Sequence, residues 1–327
     1  MKISAAGILV TDIVASELPS LPSPGQVMFP PRGIKVGVGG HPANVSRDLR
    51  RLNFRGDISV TGSVGADSFG NFIQEELERW NITTHLKRME FGDTSKNLIL
   101  VVKGEDRRFH VDVGANLHIS SDEVVEILYR ERPEVLYIGG TGWLGEFDDK
   151  LGYVLEKCKE ARENCITFID PIAPFKKNWS YLIPSLKFID LLHCNEQECA
   201  YISGEKNVDK ALRFFLKRGL KIIFVTRGKR GAIMATPRLK IEIEAFKIKQ
   251  VDPTGAGDAF CAGVIHMFSQ FRTALEQEDE DILLDALKFG SAVGAAATTR
   301  EGTTEGVDRK IVDSLVEKEV EYKIQNY

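Results

Sequence analysis

The chain has 327 residues, of which 43% are hydrophobic and 28% are charged, a composition typical of a folded globular protein. Its formal net charge is -4 and it contains no block of Lys or Arg, so neither a nucleic acid nor an anionic membrane surface is expected as its partner. The sequence also has no apolar run of the ~18 residues that a bilayer-spanning helix requires.

The cysteines and the N-terminus indicate the compartment. The five cysteines are odd in number and form no CxxC pair, which favours reduced thiols over a disulfide framework. Asp12 interrupts the apolar N-terminal run, so this run is expected to be a buried strand and not a secretion signal. We therefore predict a cytoplasmic protein.

Short apolar runs rich in β-branched residues alternate with longer segments whose apolar residues recur every three or four positions. The predicted strands are residues 3–10, 58–64, 135–138, 166–169, 191–194, 222–225 and 239–248. The predicted helices are residues 42–52, 69–80, 122–130, 150–162, 208–218, 256–268 and 282–299. This alternation predicts an α/β fold with a doubly wound, mostly parallel sheet and helices on both of its faces.

Two regions depart from this alternation. Residues 98–102 and 107–113 flank a polar turn and are expected to form a β-hairpin, while a segment rich in Pro and Gly leads to a short strand at 34–36. We expect a single domain over residues 1–327, in which about 12–36 and 95–115 form a small β-sheet lid. A hairpin without a role in closure is the alternative. The exposed edges of such a sheet also suggest a homodimer formed through the lid.

The segment 252–260, with the sequence DPTGAGDAF, places small residues directly before a long apolar helix. Small residues let backbone amides approach a ligand, and the first amides of a helix lack intrahelical acceptors. Such a helix start attracts a phosphate group. Asp258 lies in the first turn, where it could accept a proton from an attacking hydroxyl or, alternatively, serve only as a capping carboxylate.

A second glycine-rich segment, GVGGHPAN at 37–44, precedes the helix predicted at 42–52. Gly39 and Gly40 allow a polar ligand close to the backbone, and the amide of Asn44 offers both a donor and an acceptor. A dinucleotide-binding loop is the competing interpretation, because this segment approximates GxGxxA. That interpretation is weak, since the loop does not follow the first strand and Pro42 has no amide hydrogen.

Together these segments resemble the ribokinase, or PfkB carbohydrate kinase, family over about residues 1–310. Segment 252–260 is similar to the family's C-terminal signature, and segment 37–44 with VGAD at 64–67 is similar to its N-terminal signature. The resemblance implies a ribokinase-like fold and transfer of the γ-phosphoryl group of ATP, with Mg²⁺, to a hydroxyl of a sugar or polyol. The implied catalytic residues are Asp258, as general base, with Gly255, Ala256 and Gly257. The implied substrate-binding residues are Asp12, Gly39, Gly40 and Asn44.

Two shorter motifs follow in the order that the family shows. Residues 195–198 resemble its NxxE motif and residues 226–231 its TxGxxG motif. The implied nucleotide-binding residues are Asn195, Thr226, Gly228 and Gly231. Glu198 would act on Mg²⁺, although Asn195 and Glu198 also suit a helix capping box. Asp252, Thr254 and residues 300–303 correspond to positions where some relatives bind a monovalent cation.

The resemblance leaves the acceptor open. Residues 170–174 keep the Asp of the family's DxNxR motif without its Asn and Arg, and His41 stands where ribokinases often have Lys. Residues 139–141 replace a Glu that ribokinases use. A nucleoside kinase on the same scaffold is therefore an alternative, with Phe29 and Phe109 available to stack on a base. A further alternative is a sensor protein that binds a ligand without catalysing a reaction.

Overall fold

A computed structural model describes residues 1–270 and 279–326, so positions 271–278 and the last residue of the predicted domain, 327, lie outside the described residues. The strands are β1 (Lys2–Gly7), β2 (Val10–Leu18), β3 (Ile34–Gly39), β4 (Asp57–Gly65), β5 (Thr83–Met89), β6 (Lys96–Val102), β7 (Arg108–Asp112), β8 (Val135–Thr141), β9 (Ile166–Pro171), β10 (Leu191–Asn195), β11 (Ile222–Thr226), β12 (Ala232–Ala235), β13 (Leu239–Ile243) and β14 (Tyr322–Asn326).

The helices are α1 (His41–Arg51), α2 (Ser68–Arg79), α3 (Ser121–Glu131), α4 (Glu146–Asp149), α5 (Leu151–Ala161), α6 (Glu196–Ser203), α7 (Val208–Leu216), α8 (Ala256–Gln270), α9 (Glu280–Ala297) and α10 (Arg309–Val316). Three short 3₁₀ helices accompany them, at Gly114–His118, Trp179–Phe188 and Gly228–Arg230. Within the described ranges, no helix combines the length and the apolar character needed to cross a membrane.

Ten strands form the large sheet, in the order β14-β13-β12-β11-β10-β9-β8-β1-β4-β5. The seven strands from β11 to β5 run parallel, and β12, β13 and β14 are added antiparallel at one edge. One core packs α1, α2, α8 and α9 against one face of this sheet, and a second packs α3, α5, α6 and α7 against the other. The predicted doubly wound, mostly parallel fold is therefore confirmed.

The remaining strands form a separate sheet, called here the small sheet, in the order β3-β2-β6-β7. Strands β6 and β7 are the predicted hairpin, and β2 pairs with β6 in parallel and with β3 antiparallel. The predicted strand at 3–10 is wrong in its end: the chain leaves the large sheet at Gly7 and enters the small sheet at Val10. Asp12 therefore lies within β2 and does not follow β1.

The predicted strand at 239–248 is also too long, because β13 ends at Ile243. The residues after it run along a cleft that is described below. Strands β5 and β14 and helices α4 and α10 were not predicted. The start of α6 was indicated only by the capping box at Asn195 and Glu198.

Candidate active site

The first turn of α8 brings two distant polar side chains together. The Asn44 amide Nδ2 on α1 donates to Asp258 Oδ2 at 2.8 Å, although the two residues are 214 positions apart. Helix α1 packs against α8 in the core, which explains why these side chains meet. His41, at the start of α1, places Nε2 4.0 Å from Asp258 Oδ1. Asn44 and Asp258, which two separate motifs suggest, thus lie in hydrogen-bond contact.

The environment of Asp258 changes its affinity for protons. Burial raises the pKa of this carboxyl above its ordinary value, and the charge of Asp170 raises it further, against the opposing effects of His41 and the Asn44 hydrogen bond. About a tenth of the side chain is still exposed. A carboxylate with a raised pKa that still reaches solvent is suited to accept a proton from a bound hydroxyl.

The loop before α8 requires a glycine at position 255 and leads into the first-turn amides of the helix. Gly255 has a φ of +77°, and a Cβ there would lie 2.1 Å from the carbonyl oxygen of Thr303, so only glycine fits. The amide of Ala259 makes an i−4 hydrogen bond to the Gly255 carbonyl at 2.9 Å, and the amide of Ala256 bonds the Pro253 carbonyl at 3.3 Å. The amides of the first turn ahead of Ala259 lie at the positive end of the helix, where an anion is stabilised.

Asp12 faces this helix start from the small sheet. Its register partner on β6 is Asn97, whose Nδ2 donates to Asp12 Oδ1 at 3.1 Å. On the neighbouring strand, a Cβ on Gly39 would lie 2.1 Å from Asp12 Oδ2, so a glycine is required for the carboxylate to sit there. Burial raises the pKa of Asp12 to about 6, against the lowering effects of Asn97 and Arg47. Gly40, the residue after Gly39, is the N-cap of α1.

A pocket of about 250 Å³ lies beneath the small sheet. Asp12, Val14 and Ile99 line it from the strands, and Asp252 and Thr254 line it from the loop before α8. The pocket therefore lies between the small sheet and the loop before α8. Of the four predicted substrate-binding residues, Asp12 lines it, whereas Gly39, Gly40 and Asn44 do not, and neither does Asp258.

A larger cleft of about 1320 Å³ lies on the other side of the same loop. Thr226, Gly228 and Gly231 line it, as the TxGxxG motif suggests, and Ala256 and Gly257 form its boundary with the helix start. The residues after β13 form the opposite wall, including Phe246 and Ile248. The predicted nucleotide-binding glycines and the start of α8 therefore line one cleft.

Asn195 and Glu198 form the capping box that the sequence also allows. Asn195 Oδ1 accepts from the Glu198 amide at 2.9 Å, and Glu198 Oε2 accepts from the Asn195 amide at 2.8 Å. Neither residue lines the large cleft. Burial raises the pKa of Glu198, the Asn195 amide opposes that rise and the charge of Asp170 adds to it. Burial thus disfavours the charged form of this carboxyl.

A buried polar cluster behind Asp258 was not predicted. Asp170 accepts from the Tyr137 hydroxyl at 2.9 Å and from His193 Nδ1 at 2.8 Å, and His193 Nε2 lies 3.2 Å from Thr226 Oγ1. Burial alone would raise the pKa of Asp170, but the charge of His193 lowers it below the ordinary value. This ion pair joins Thr226 of the large cleft to the carboxylates near α8. A histidine inside the apolar run 191–194 is the sequence signal for it.

The side chains of Arg107 and Glu301 connect the small sheet to the loops around α8. The Arg107 guanidinium Nη1 donates to Thr254 Oγ1 at 2.6 Å and lies 3.8 Å from Asp252 Oδ1. Glu301 Oε2 accepts from Lys35 Nζ at 2.8 Å and from Arg32 Nη1 at 3.1 Å. A cationic group of the protein therefore already lies beside Asp252, where the resemblance suggests a monovalent cation, and that cation stays a prediction.

Comparison with known proteins identifies the family of this chain. Residues 2–310 match the family described as pfkB family carbohydrate kinase. Fructokinase-1 of Zea mays is 26% identical over 294 residues, covering 86% of this chain and 88% of the relative. Ribokinase of Staphylococcus aureus (strain COL) is 24% identical over 285 residues, covering 85% of this chain and 88% of the relative.

The fold has solved counterparts as well. The structure of a fructokinase with bound ATP from Xylella fastidiosa superposes with a TM-score of 0.81 at 20% identity, covering 97% of this chain and 98% of the other. This similarity confirms the ribokinase-like fold. The family match over nearly the whole chain confirms the enzyme class expected from the motifs, an ATP-dependent carbohydrate kinase. The chain belongs to the pfkB family of carbohydrate kinases.

Proposed function

We propose that this kinase transfers the γ-phosphoryl group of ATP to a hydroxyl of a sugar or related polyol, with Asp258 as the general base. One observation carries the proposal: the buried Asp258 carboxylate stands in the first turn of α8, where Ala256 and Gly257 line the large cleft and the preceding residues Asp252 and Thr254 line the smaller pocket that holds Asp12. ATP would occupy the cleft along Thr226, Gly228 and Gly231. The acceptor would lie among Asp12, Gly39, Gly40 and Asn44.

In this arrangement Asp258 takes the proton of the acceptor hydroxyl as the oxygen attacks the γ-phosphorus. Its raised pKa makes it a stronger base than an exposed aspartate, and the Asn44 donor holds one carboxylate oxygen in place. The bond to the β-phosphate oxygen then breaks and ADP leaves. The backbone amides around Gly255, Ala256 and Gly257, with the helix dipole, stabilise the negative charge of the transferring group.

Glu198 is the residue that we propose for Mg²⁺. A carboxylate oxygen is the type of ligand that this hard cation prefers, often through water, and the charge of Asp170 acts on Glu198 as a second negative charge nearby. Mg²⁺, when bound with ATP, neutralises phosphate charge. The capping box keeps Glu198 and Asn195 at the start of α6.

We also propose that the small sheet is the lid. It covers the pocket that holds Asp12, and its contacts through Arg107 and Glu301 reach the loops that support Gly255. A closed lid keeps water away from the phosphoryl group, which would otherwise be transferred to water.

The residues around Asp12 favour a sugar over a nucleoside. Apart from polar side chains, the residues from β2 and β6 that line the pocket are the aliphatic Val14, Ile99 and Val101, and the lining residues in the described part of the chain include no aromatic side chain. A base would need a stacking partner. The two aromatic candidates, Phe29 and Phe109, are 86% and 50% exposed.

A panel of sugars, polyols and nucleosides, assayed by ADP release with Mg²⁺-ATP, tests this proposal. We expect acceptor-dependent ADP release with at least one sugar or polyol, and formation of a phosphorylated product in equal amount by mass spectrometry. Turnover of nucleosides alone would overturn the choice of acceptor. Ligand binding without product from any acceptor would instead support the sensor alternative.

The pKa of Asp12 predicts how kcat/KM for the acceptor depends on pH. Because its pKa is about 6, the carboxylate is protonated below that pH and can no longer accept hydrogen bonds from two substrate hydroxyls. We expect kcat/KM for the acceptor to fall as the pH decreases through about 6. In Asp12→Asn the remaining decline should be shallower, since one titrating group of the site has been removed. A kcat/KM that stays constant across this range contradicts the role of Asp12.

We further propose a homodimer formed through the small sheet and a cytoplasmic location. Ile34, Val36 and Leu98 of this sheet are 63%, 51% and 41% exposed, and monomeric proteins rarely expose contiguous apolar patches of this kind. Light scattering is expected to give twice the chain mass, and Leu98→Glu to reduce it to one chain. A monomeric wild-type protein would contradict the dimer.

The cysteines support the proposed cytoplasmic location. All five are free and buried, which suits a reducing compartment.

A further inference from the structure

Arg47 is a buried arginine on α1, three residues after Asn44, and only 5% of its surface is exposed. Its guanidinium Nη2 donates to Asn44 Oδ1 at 2.8 Å, to the Val38 carbonyl at 2.5 Å and to Thr303 Oγ1 at 3.3 Å. A buried charge destabilises a fold unless hydrogen bonds compensate it. The acceptors around Arg47 provide that compensation, and they belong to three different parts of the site.

These contacts decide which way round the Asn44 amide lies. The oxygen and nitrogen of an amide have similar shapes, so the neighbouring hydrogen-bond partners select the orientation. Arg47 offers only donors and therefore takes Oδ1, which leaves Nδ2 to donate to Asp258 at 2.8 Å. The reversed amide would direct its oxygen at the Asp258 carboxylate and its NH₂ group at the guanidinium, and both contacts would be repulsive.

The same guanidinium joins the acceptor side of the site to the phosphate side. Val38 directly precedes Gly39, which contacts the Asp12 carboxylate. Thr303 places its carbonyl oxygen against Gly255, in the loop proposed to hold the phosphoryl group. Strand β3, helix α1 and the loop after α9 therefore meet at one side chain.

We infer that Arg47 is a positioning residue for phosphoryl transfer: it fixes the Asn44 amide so that Asn44 donates to Asp258, and it thereby sets the orientation of the base. The inference rests on the proposed function, because it assigns Arg47 a role only through Asp258. It extends the site beyond the residues that the motifs suggest. Substitution of Arg47 should therefore affect turnover more than ATP binding.

A double-mutant cycle between Arg47→Met and Asn44→Ala tests the inference, with kcat measured at saturating ATP and acceptor. Arg47→Met alone is expected to lower kcat on the order of 10-fold, the effect of losing one charge-assisted hydrogen bond, with the KM for ATP changed less than about 2-fold. In the Asn44→Ala background the same substitution should change kcat less than about 2-fold, because no amide is left to orient. Equal losses in both backgrounds overturn the inference.

Two further variants complete the test. Arg47→Lys keeps a charged donor for Asn44 Oδ1 but loses the planar fork, so we expect it to retain most of the kcat that Arg47→Met loses. A Lys variant as slow as Asn44→Ala contradicts the positioning role, and this comparison also serves if the Met variant does not fold. If neither Asn44→Ala nor Asp258→Asn lowers kcat, the proposed function fails. If both do and the cycle shows no coupling, only the role of Arg47 fails.

Discussion

Asp258→Asn is expected to lower kcat at least ~10²-fold, the contribution of a general base to a proton transfer. The asparagine has nearly the same shape but cannot take the proton of the acceptor hydroxyl. The KM for ATP should change less than about 2-fold, because Ala256 and Gly257, and not the Asp258 side chain, line the large cleft. Steady-state kinetics with the acceptor identified from the panel provides the measurement.

Measurement of thermal stability distinguishes a loss of catalysis in Asp258→Asn from a loss of folding. Burial raises the folded-state pKa of Asp258, so the protonated form contributes stability at low pH that is lost as the pH rises through that pKa. A neutral asparagine avoids the buried charge, and the melting temperature near pH 7.5 should therefore not fall. Asp48→Asn is a control for the loss of a buried carboxylate: Asp48 on α1 is fully buried, and neither of its oxygens has a hydrogen-bond partner among the described residues, so kcat should fall far less than in Asp258→Asn. Turnover at the wild-type rate in Asp258→Asn would remove it as the base.

Gly255→Ala is expected to cause the second large loss, ~10²-fold or more in kcat, the effect of displacing one donor from an anion-binding loop. The added methyl group would lie 2.1 Å from the Thr303 carbonyl oxygen, so the loop must move away from the start of α8. Binding of ATP should weaken less than turnover falls, because transition-state charge is stabilised more strongly than ground-state charge. Kinetics together with calorimetric titration of ATP separate these effects.

Gly204→Ala provides the matched control for backbone strain. Gly204 has a φ of +74°, similar to that of Gly255, but a Cβ there meets no atom within 4 Å, and the residue caps α6 away from Gly255. We expect a loss of about 1 kcal/mol in the free energy of unfolding and an unchanged kcat. If Gly255→Ala behaves like Gly204→Ala, the loop before α8 does not hold the transferring group.

Alternating apolar runs were sufficient to predict the central strands and the helices that cover them, because these strands are buried on both faces. Strands β5 and β14 escaped prediction for the opposite reason. Both are edge strands, half or fully exposed for most of their length, and only pairing with a distant strand identifies them. The break between β1 and β2 was missed because the apolar run continues through it while the chain passes from one sheet to the other.

Sequence motifs alone were sufficient to select Asp258, Asn44 and Gly255 as candidate site residues, because glycine-rich loops carry local signals. Asn97 and Arg47 carry no such signal. Asn97 meets Asp12 only through the register of β2 and β6, across 85 positions. Arg47 is a charged residue on a buried stretch of α1. Its partners come from β3 and from a loop 256 positions away, so local sequence does not reveal them.

Glu301 connects the small sheet to the segment that supports Gly255, through Ser16, Arg32 and Lys35. Thr303, two residues later, lies against Gly255 itself. If the small sheet is the proposed lid, its opening would remove these anchors of the segment as solvent enters. Such an opening would loosen the loop around Gly255 when water can reach the phosphoryl group, and the chain would then hydrolyse less ATP without transfer to an acceptor.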